Sequence, residues 1–162
     1  MKLILVFCLT GVTISGTAQQ SNTHFSHSVT TQARPDQIWQ IWTDVANWKD
    51  WDKGLKSTSL EGVFRDGVKG ILIADNGRKA KFVIEQVWPN QSYVMKTKIP
   101  FGWLIISRSM NVTGDTTQFT HDVRFTGILK KVLGNKLGKR YRELLPEVME
   151  NIKSIVENKP TR

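Results

Sequence analysis

The chain has 162 residues, 40% hydrophobic and 23% charged, and carries a formal net charge of +9 at pH 7. That length holds one domain with a real core, and the basic balance favours anionic partners, whether lipid head groups, nucleic acid or acidic small molecules. The single cysteine, Cys8, lies in the first segment, so the rest of the chain can form no disulfide, thiolate metal site or cysteine nucleophile.

Residues 1–18 read as a secretory signal peptide. Lys2 supplies the positive start, Leu3 to Ile14 an apolar run, and Ser15, Gly16, Thr17 and Ala18 small residues suited to cleavage. The run is too short to span a bilayer comfortably, which takes about 20 residues. The expectation is export to a periplasmic or extracellular space, leaving one domain over residues 23–157 and a disordered tail over 158–162.

The alternation of Phe25, His27 and Val29 predicts a first strand within Ser21 to Thr31. Arg34-Pro35-Asp36 opens a helix with proline in its first turn, and Ile38, Ile41, Trp42 and Val45 fall on one face of it. Asn47 to Lys53, with Trp48 and Trp51 three apart, reads as a short helix or tight loop. From Leu55 the period becomes two. Strands are predicted over Leu55–Val63, Gly70–Ala74, Lys79–Trp88, Ser92–Ile99, Trp103–Val112 and Thr116–Phe125, divided by turns such as Asp75-Asn76-Gly77 and Gly114-Asp115. A single apolar stripe then runs through Thr126 to Glu157 at helical spacing. Pro146 is expected to bend that helix. Gly127, Gly134 and Gly138, placed in its first turns, each cost up to about 1 kcal/mol in a helix interior; close approach of the helix backbone to a neighbour explains their presence. Strand, two short helices, a meander of strands and one long helix make an α+β fold.

The run Asp44-Val45-Ala46-Asn47-Trp48-Lys49-Asp50-Trp51-Asp52, followed by Leu55 to Gly62, Gly67 and Gly70, resembles the START-like, or SRPBCC, superfamily. Its polyketide cyclase/dehydrase and lipid-transport branch is the nearest match. Phe125-Thr126-Gly127 and Leu144-Leu145-Pro146 agree with the strand–glycine–helix junction and the Leu-Pro step of that branch. The resemblance covers roughly Phe25 to Glu157. It implies a helix-grip fold, a curved antiparallel sheet of about seven strands around the C-terminal helix, with a cavity for an apolar ligand between them. Binding proteins, transporters and enzymes share that fold, so it leaves activity open.

Enzyme signatures are sparse. The histidines, His24, His27 and His121, form no zinc pattern, and neither a metal nor another cofactor is expected. Gly134 to Lys139 resembles a phosphate loop but is one residue short, lacks the Ser or Thr after the lysine, and lies within the helix. His121 shares a face with Phe119, Val123 and Phe125; the readings for it are a satisfied core residue, an orienting hydrogen bond in a cavity, or a general base. Arg108 alternates with Ile106 and Met110, pointing either into the cavity toward an anionic head group or outward, with Trp103 and Ile105 competing for the inside. Trp48 and Trp51 read as packing, with Trp51 able to touch a ligand; Asp50 and Asp52 beside it read as a solvated loop. The candidate ligand-lining set is Trp51, Phe82, Ile84, Tyr93, Met95, Arg108, His121 and Val123, with Leu133 and Leu137 from the helix.

Lys130, Lys131, Lys136, Lys139, Arg140 and Arg142 crowd the first half of the long helix with no acid before Glu143. They form either a solvated basic face or a patch for weak contact with an anionic membrane surface. Aromatic residues do not interleave with them, which argues against nucleic acid. The function expected is an exported monomer that binds or carries a small hydrophobic or amphipathic ligand without catalysis. A polyketide cyclase or dehydratase using His121 and Arg108, and a structural or interaction domain with a filled cavity, are the alternatives.

Overall fold

A computed structural model describes residues 20–158; the proposed signal peptide and all but the first residue of the proposed tail lie outside them. The elements follow the order β1 (His24–Thr31), α1 (Pro35–Thr43), a 3₁₀ turn (Val45–Asp50), β2 (Leu55–Leu60), β3 (Lys69–Ala74), β4 (Lys79–Trp88), β5 (Ser92–Ile99), β6 (Gly102–Thr113), β7 (Thr116–Phe125) and α2 (Lys130–Leu133). A π-helical segment, Gly134–Gly138, joins α2 to α3 (Lys139–Asn158), making one helical run of 29 residues. The strands pair antiparallel in the order β1-β7-β6-β5-β4-β3-β2, a curled half-barrel around the long helix. This is the helix-grip fold expected. The meander follows sequence order except that β1 crosses to pair with β7, leaving β1 and β2 as the two edges.

Alternation sets the concave face. Phe82 and Ile84 of β4, Tyr93 and Met95 of β5, Ile106 and Arg108 of β6, and Phe119, His121, Val123 and Phe125 of β7 are all buried. Against them α3 places Leu145, Val148, Met149, Ile152 and Val156, one stripe at helical spacing. From the other side α1 buries Ile38, Ile41 and Trp42.

The helix differs from expectation at its start. It begins at Lys130, and Gly127 lies ahead of it with φ +89°, where a Cβ would fall 1.9 Å from the Phe101 carbonyl oxygen. Gly127 therefore serves the junction and not the helix. Gly134 and Gly138 do serve close approach. A Cβ on Gly138 would meet the Asn22 carbonyl oxygen at 2.1 Å, and one on Gly134 would meet the same oxygen at 2.7 Å. A π segment falls here, and Pro146 lies further on, inside α3. Asn158, placed in the tail by composition, is the last residue of α3.

Candidate ligand-binding site

The strand register builds a polar row across the concave face. Tyr93 of β5 stands opposite Arg108 of β6, Arg108 opposite His121 of β7, and His121 opposite His27 of β1. Arg108 therefore faces inward, 2% exposed, while Trp103 is turned partly to solvent. Its Nε–H donates to His121 Nε2 at 2.6 Å, and its Nη1 donates to the Tyr93 hydroxyl. Three aromatic rings surround the guanidinium, whose carbon lies 4.7 Å from the Trp48 ring centroid, 4.8 Å from Trp51 and 5.3 Å from Tyr93. Such a contact stabilises a desolvated cation by about 2 kcal/mol.

Every hydrogen-bonding partner of this cation is neutral. His121 accepts the Arg108 proton on Nε2, which puts its own proton on Nδ1. Burial first, and the Arg108 charge second, hold its pKa well below 6.5. Burial pushes Tyr93 up to about 12, against the pull of Arg108. Among the described residues Arg108 forms no ion pair with a carboxylate. The nearest acid to influence it is Asp52, whose pKa is raised by burial, with the Gly54 N–H bond and the Arg108 charge pulling the other way. Asp52 is 7% exposed, which overturns the reading of Asp50 and Asp52 as one solvated loop: Asp50 is exposed, whereas Asp52 accepts the Gly54 N–H at 2.9 Å and closes the turn inward. The Nδ1 of His121 and the Nε1 of Trp42 are buried donors without a partner among the described residues.

Two segments roof the row. Trp48 and Trp51 follow from the 3₁₀ turn; Trp48 donates its indole N–H to the Trp42 carbonyl at 2.9 Å, and the Trp51 carbonyl accepts from Asn151 of α3 at 3.1 Å. The Thr58 hydroxyl of β2 donates to the Val45 carbonyl, fastening the turn to the sheet edge. All eight candidate lining residues from the turn and sheet, Trp51 through Val123, are buried, and Leu133 and Leu137 are part-buried against the same core. The space among them is occupied: Trp42, Trp48, Trp51, Tyr93, Arg108 and Phe119 are among the largest fully buried side chains. Between Lys53, Gly54 and α3 runs a crevice of only about 10 Å³, the volume of one small probe sphere.

Trp48, Trp42 and Tyr141 also border the row, outside the lining set expected from the sequence. Trp48 carried a usable signal, since its spacing from Trp51 puts both rings on one side of a turn. Trp42 sits in a core stripe and Tyr141 in a helix stripe, so neither is distinguishable from packing by pattern. Tyr141 packs edge-on to Phe25 at 5.8 Å, and burial of its hydroxyl raises its pKa, with Asp52 next. The basic residues of the helix differ in their surroundings. Arg140 is ion-paired with Asp75 of the β3–β4 turn and Arg142 is part-buried, while Lys130, Lys131, Lys136 and Lys139 are exposed.

A family described as polyketide cyclase / dehydrase and lipid transport matches residues 22–157. The chain belongs to this family. Solved structures with the same fold include a protein of Mesorhizobium loti (12% identity, TM-score 0.66, 85% of this chain and all of that one). A START superfamily protein of Mycobacterium smegmatis shares 19% identity at TM-score 0.62 over 83% of this chain and 97% of its own. Truncated norcoclaurine synthase of Thalictrum flavum shares 13% at TM-score 0.66 over 88% and 100%. No curated protein sequence matches the chain. Family membership fixes the fold and is consistent with a ligand-binding cavity between sheet and helix, the place where this chain carries the Arg108 row.

Proposed function

We propose that the protein binds and carries a small hydrophobic or amphipathic molecule bearing one anionic oxygen, and does not transform it. The observation that carries this reading is Arg108. A buried charge needs compensation, and here the described residues supply rings and neutral acceptors only. Two protein hydrogen bonds use two of the five guanidinium N–H groups. A carboxylate or enolate oxygen would complete the set, with the apolar body of the ligand taking the place of the Trp48 and Trp51 rings. Catalysis is poorly served, because the lone pair a general base would use, His121 Nε2, already accepts the Arg108 proton.

The test compares dodecanoate with 1-dodecanol by tryptophan fluorescence titration, together with mass spectrometry of lipids extracted from the purified protein. Dodecanoate should bind at least tenfold tighter, and Arg108→Met should remove that preference. Equal binding of the two would overturn the head-group reading. The packed interior favours a second reading, a filled interaction domain; that reading stands if neither probe binds and no lipid is extracted. Recovery of a chemically altered ligand, with conversion lost in His121→Ala, would point to an enzyme.

The reading includes export of a monomer after loss of the first 18 residues, supported by the pattern of Lys2, Leu3 to Ile14 and Ala18. Intact mass and light scattering on the secreted or periplasmic fraction check both; a cytoplasmic protein starting at Met1 sinks the export. Weak contact with anionic membranes belongs to the same reading, since a carrier of amphipathic cargo must meet a lipid surface.

A further inference from the structure

One end of the molecule exposes large apolar side chains that the core does not use. Phe101, at the tip of the β5–β6 hairpin, is 76% exposed; Ile128, between β7 and α2, is 88% exposed. The two are neighbours, because the Ile128 N–H donates to the Phe101 carbonyl at 3.3 Å. Trp103 and Val132 are exposed on either side of them. Trp103 is bonded to the same junction through Thr126, and Val132 lies one helical turn beyond Ile128.

Phe101 holds φ at +56°, a left-handed conformation that a bulky side chain adopts at a cost of order 1–3 kcal/mol. An aromatic ring that is both strained and in water is not there for stability.

Charge selects the partner. Lys98 stands opposite Trp103 in the strand register, and Arg124 opposite Ile105 beside it; Lys130 and Lys131 follow Ile128. No acidic residue occurs from Ser92 to Gly114, and none from Val123 to Arg142. The neighbouring acid, Asp122, is paired with His24 at 2.7 Å. An open surface cleft of about 470 Å³ lies next to the apolar tip, walled by Arg124, Lys130, His24 and the Gly127 backbone. Among the described residues no helix is long and apolar enough to cross a membrane.

We infer that this end docks on an anionic phospholipid bilayer. Phe101 and Ile128 enter the interface, Trp103 and Val132 lie at its edge, and a lipid phosphate sits in the cleft between Arg124 and Lys130. Apolar side chains ringed by lysine and arginine meet both layers of such a surface, hydrocarbon and phosphate. The inference rests on the membrane contact proposed above and gives it a place. It moves that contact away from Arg140, which is tied to Asp75, and it does not depend on the interior ligand.

The experiment is co-sedimentation of the protein with vesicles of phosphatidylcholine alone and of phosphatidylcholine with one quarter phosphatidylglycerol. Wild type should partition at least tenfold more onto the anionic vesicles. Phe101→Gly and Ile128→Ser should each lower that partition about fivefold or more, and Arg124→Glu with Lys130→Glu should abolish it. Phe101→Gly suits the +56° backbone, so it should melt no lower than wild type, and its dodecanoate affinity should be unchanged. Wild-type binding by both apolar variants would overturn this docking face while leaving a general basic attraction. Failure of wild type to bind anionic vesicles would overturn the membrane contact altogether, whatever the interior binds.

Discussion

His121 is where charge, burial and the proposed ligand meet. Its pKa in the folded protein lies well below 6.5, first through burial and then through Arg108. The groups facing it in the row are the charged Arg108 and the part-buried His27 side chain across the strand pair. Below pH 6.5 the unfolded chain takes up a proton at this residue and the folded chain does not, so stability falls as pH drops from there toward the folded pKa. The slope is about 1.4 kcal/mol per pH unit for one proton. His121→Gln keeps an acceptor for the Arg108 Nε–H but cannot titrate. The stability advantage of wild type over this variant should therefore shrink as the pH is lowered from 7 to 5, measured by urea unfolding. A gap that stays constant over that range would show that His121 protonates as readily in the folded protein as in the unfolded one. Period-two alternation was enough to put His121 on the inner face with Phe119 and Val123. It could not orient Arg108, because Trp103 and Ile105 are equally apolar on the other face; only the pairing of Arg108 with Tyr93 and His121 decides the matter.

At the scale of elements, the long helix is fixed to the β1 edge by backbone contact. Gly138 and Gly134 bring it onto the Asn22 carbonyl, with Phe125 Cε2 also 3.0 Å from a Gly138 Cβ. Alanine favours an exposed helix interior over glycine by up to about 1 kcal/mol, yet here the added methyl meets backbone that cannot turn aside. Gly138→Ala should destabilise by roughly 1–3 kcal/mol, and Gly134→Ala by less, since part of its collision is with the movable Thr23 methyl at 2.7 Å. Thermal melts of the two variants test the ranking; a Gly138→Ala protein that melts like wild type would mean the helix can lift from β1 without loss. The strand and helix order was legible in the sequence down to a few residues at each boundary, because hydrophobic period and turn residues carry it. The π segment was not. It arises where the helix must keep two glycines against Asn22 while presenting Leu133 and Leu137 to the core, a constraint set by a residue more than a hundred positions away. Pro146, expected to bend the helix, lies inside α3.

At the scale of the whole molecule, the proposed ligand would have to reach Arg108 through a filled interior. The helix is held differently along its two sides. On the β1 side lie the Asn22 contact, the Phe25–Tyr141 ring pair and the Thr31–Glu157 hydrogen bond at 2.8 Å. On the other side, toward the 3₁₀ turn and the β3–β4 turn, are the Asn151 bond to the Trp51 carbonyl and the exposed Arg140–Asp75 ion pair, with the narrow crevice at Gly54 between them. Exposed ion pairs contribute little, about 0–1 kcal/mol, so this seam is the weaker and the natural way in. Asn151, which lines that crevice, is bonded to the backbone of Trp51, one of the rings that the proposed ligand would displace. Such openings are low-lying local motions that leave the rest of the fold intact. Asn151→Ala and Asp75→Asn should each speed dodecanoate uptake several-fold in stopped-flow tryptophan fluorescence. Release should quicken in parallel, and equilibrium affinity should stay within about threefold, under 1 kcal/mol. Gly138→Ala, which loosens the β1 side, serves as the control: if it speeds uptake and the two seam variants do not, entry runs along β1 and the gate lies on the opposite edge from the one argued here.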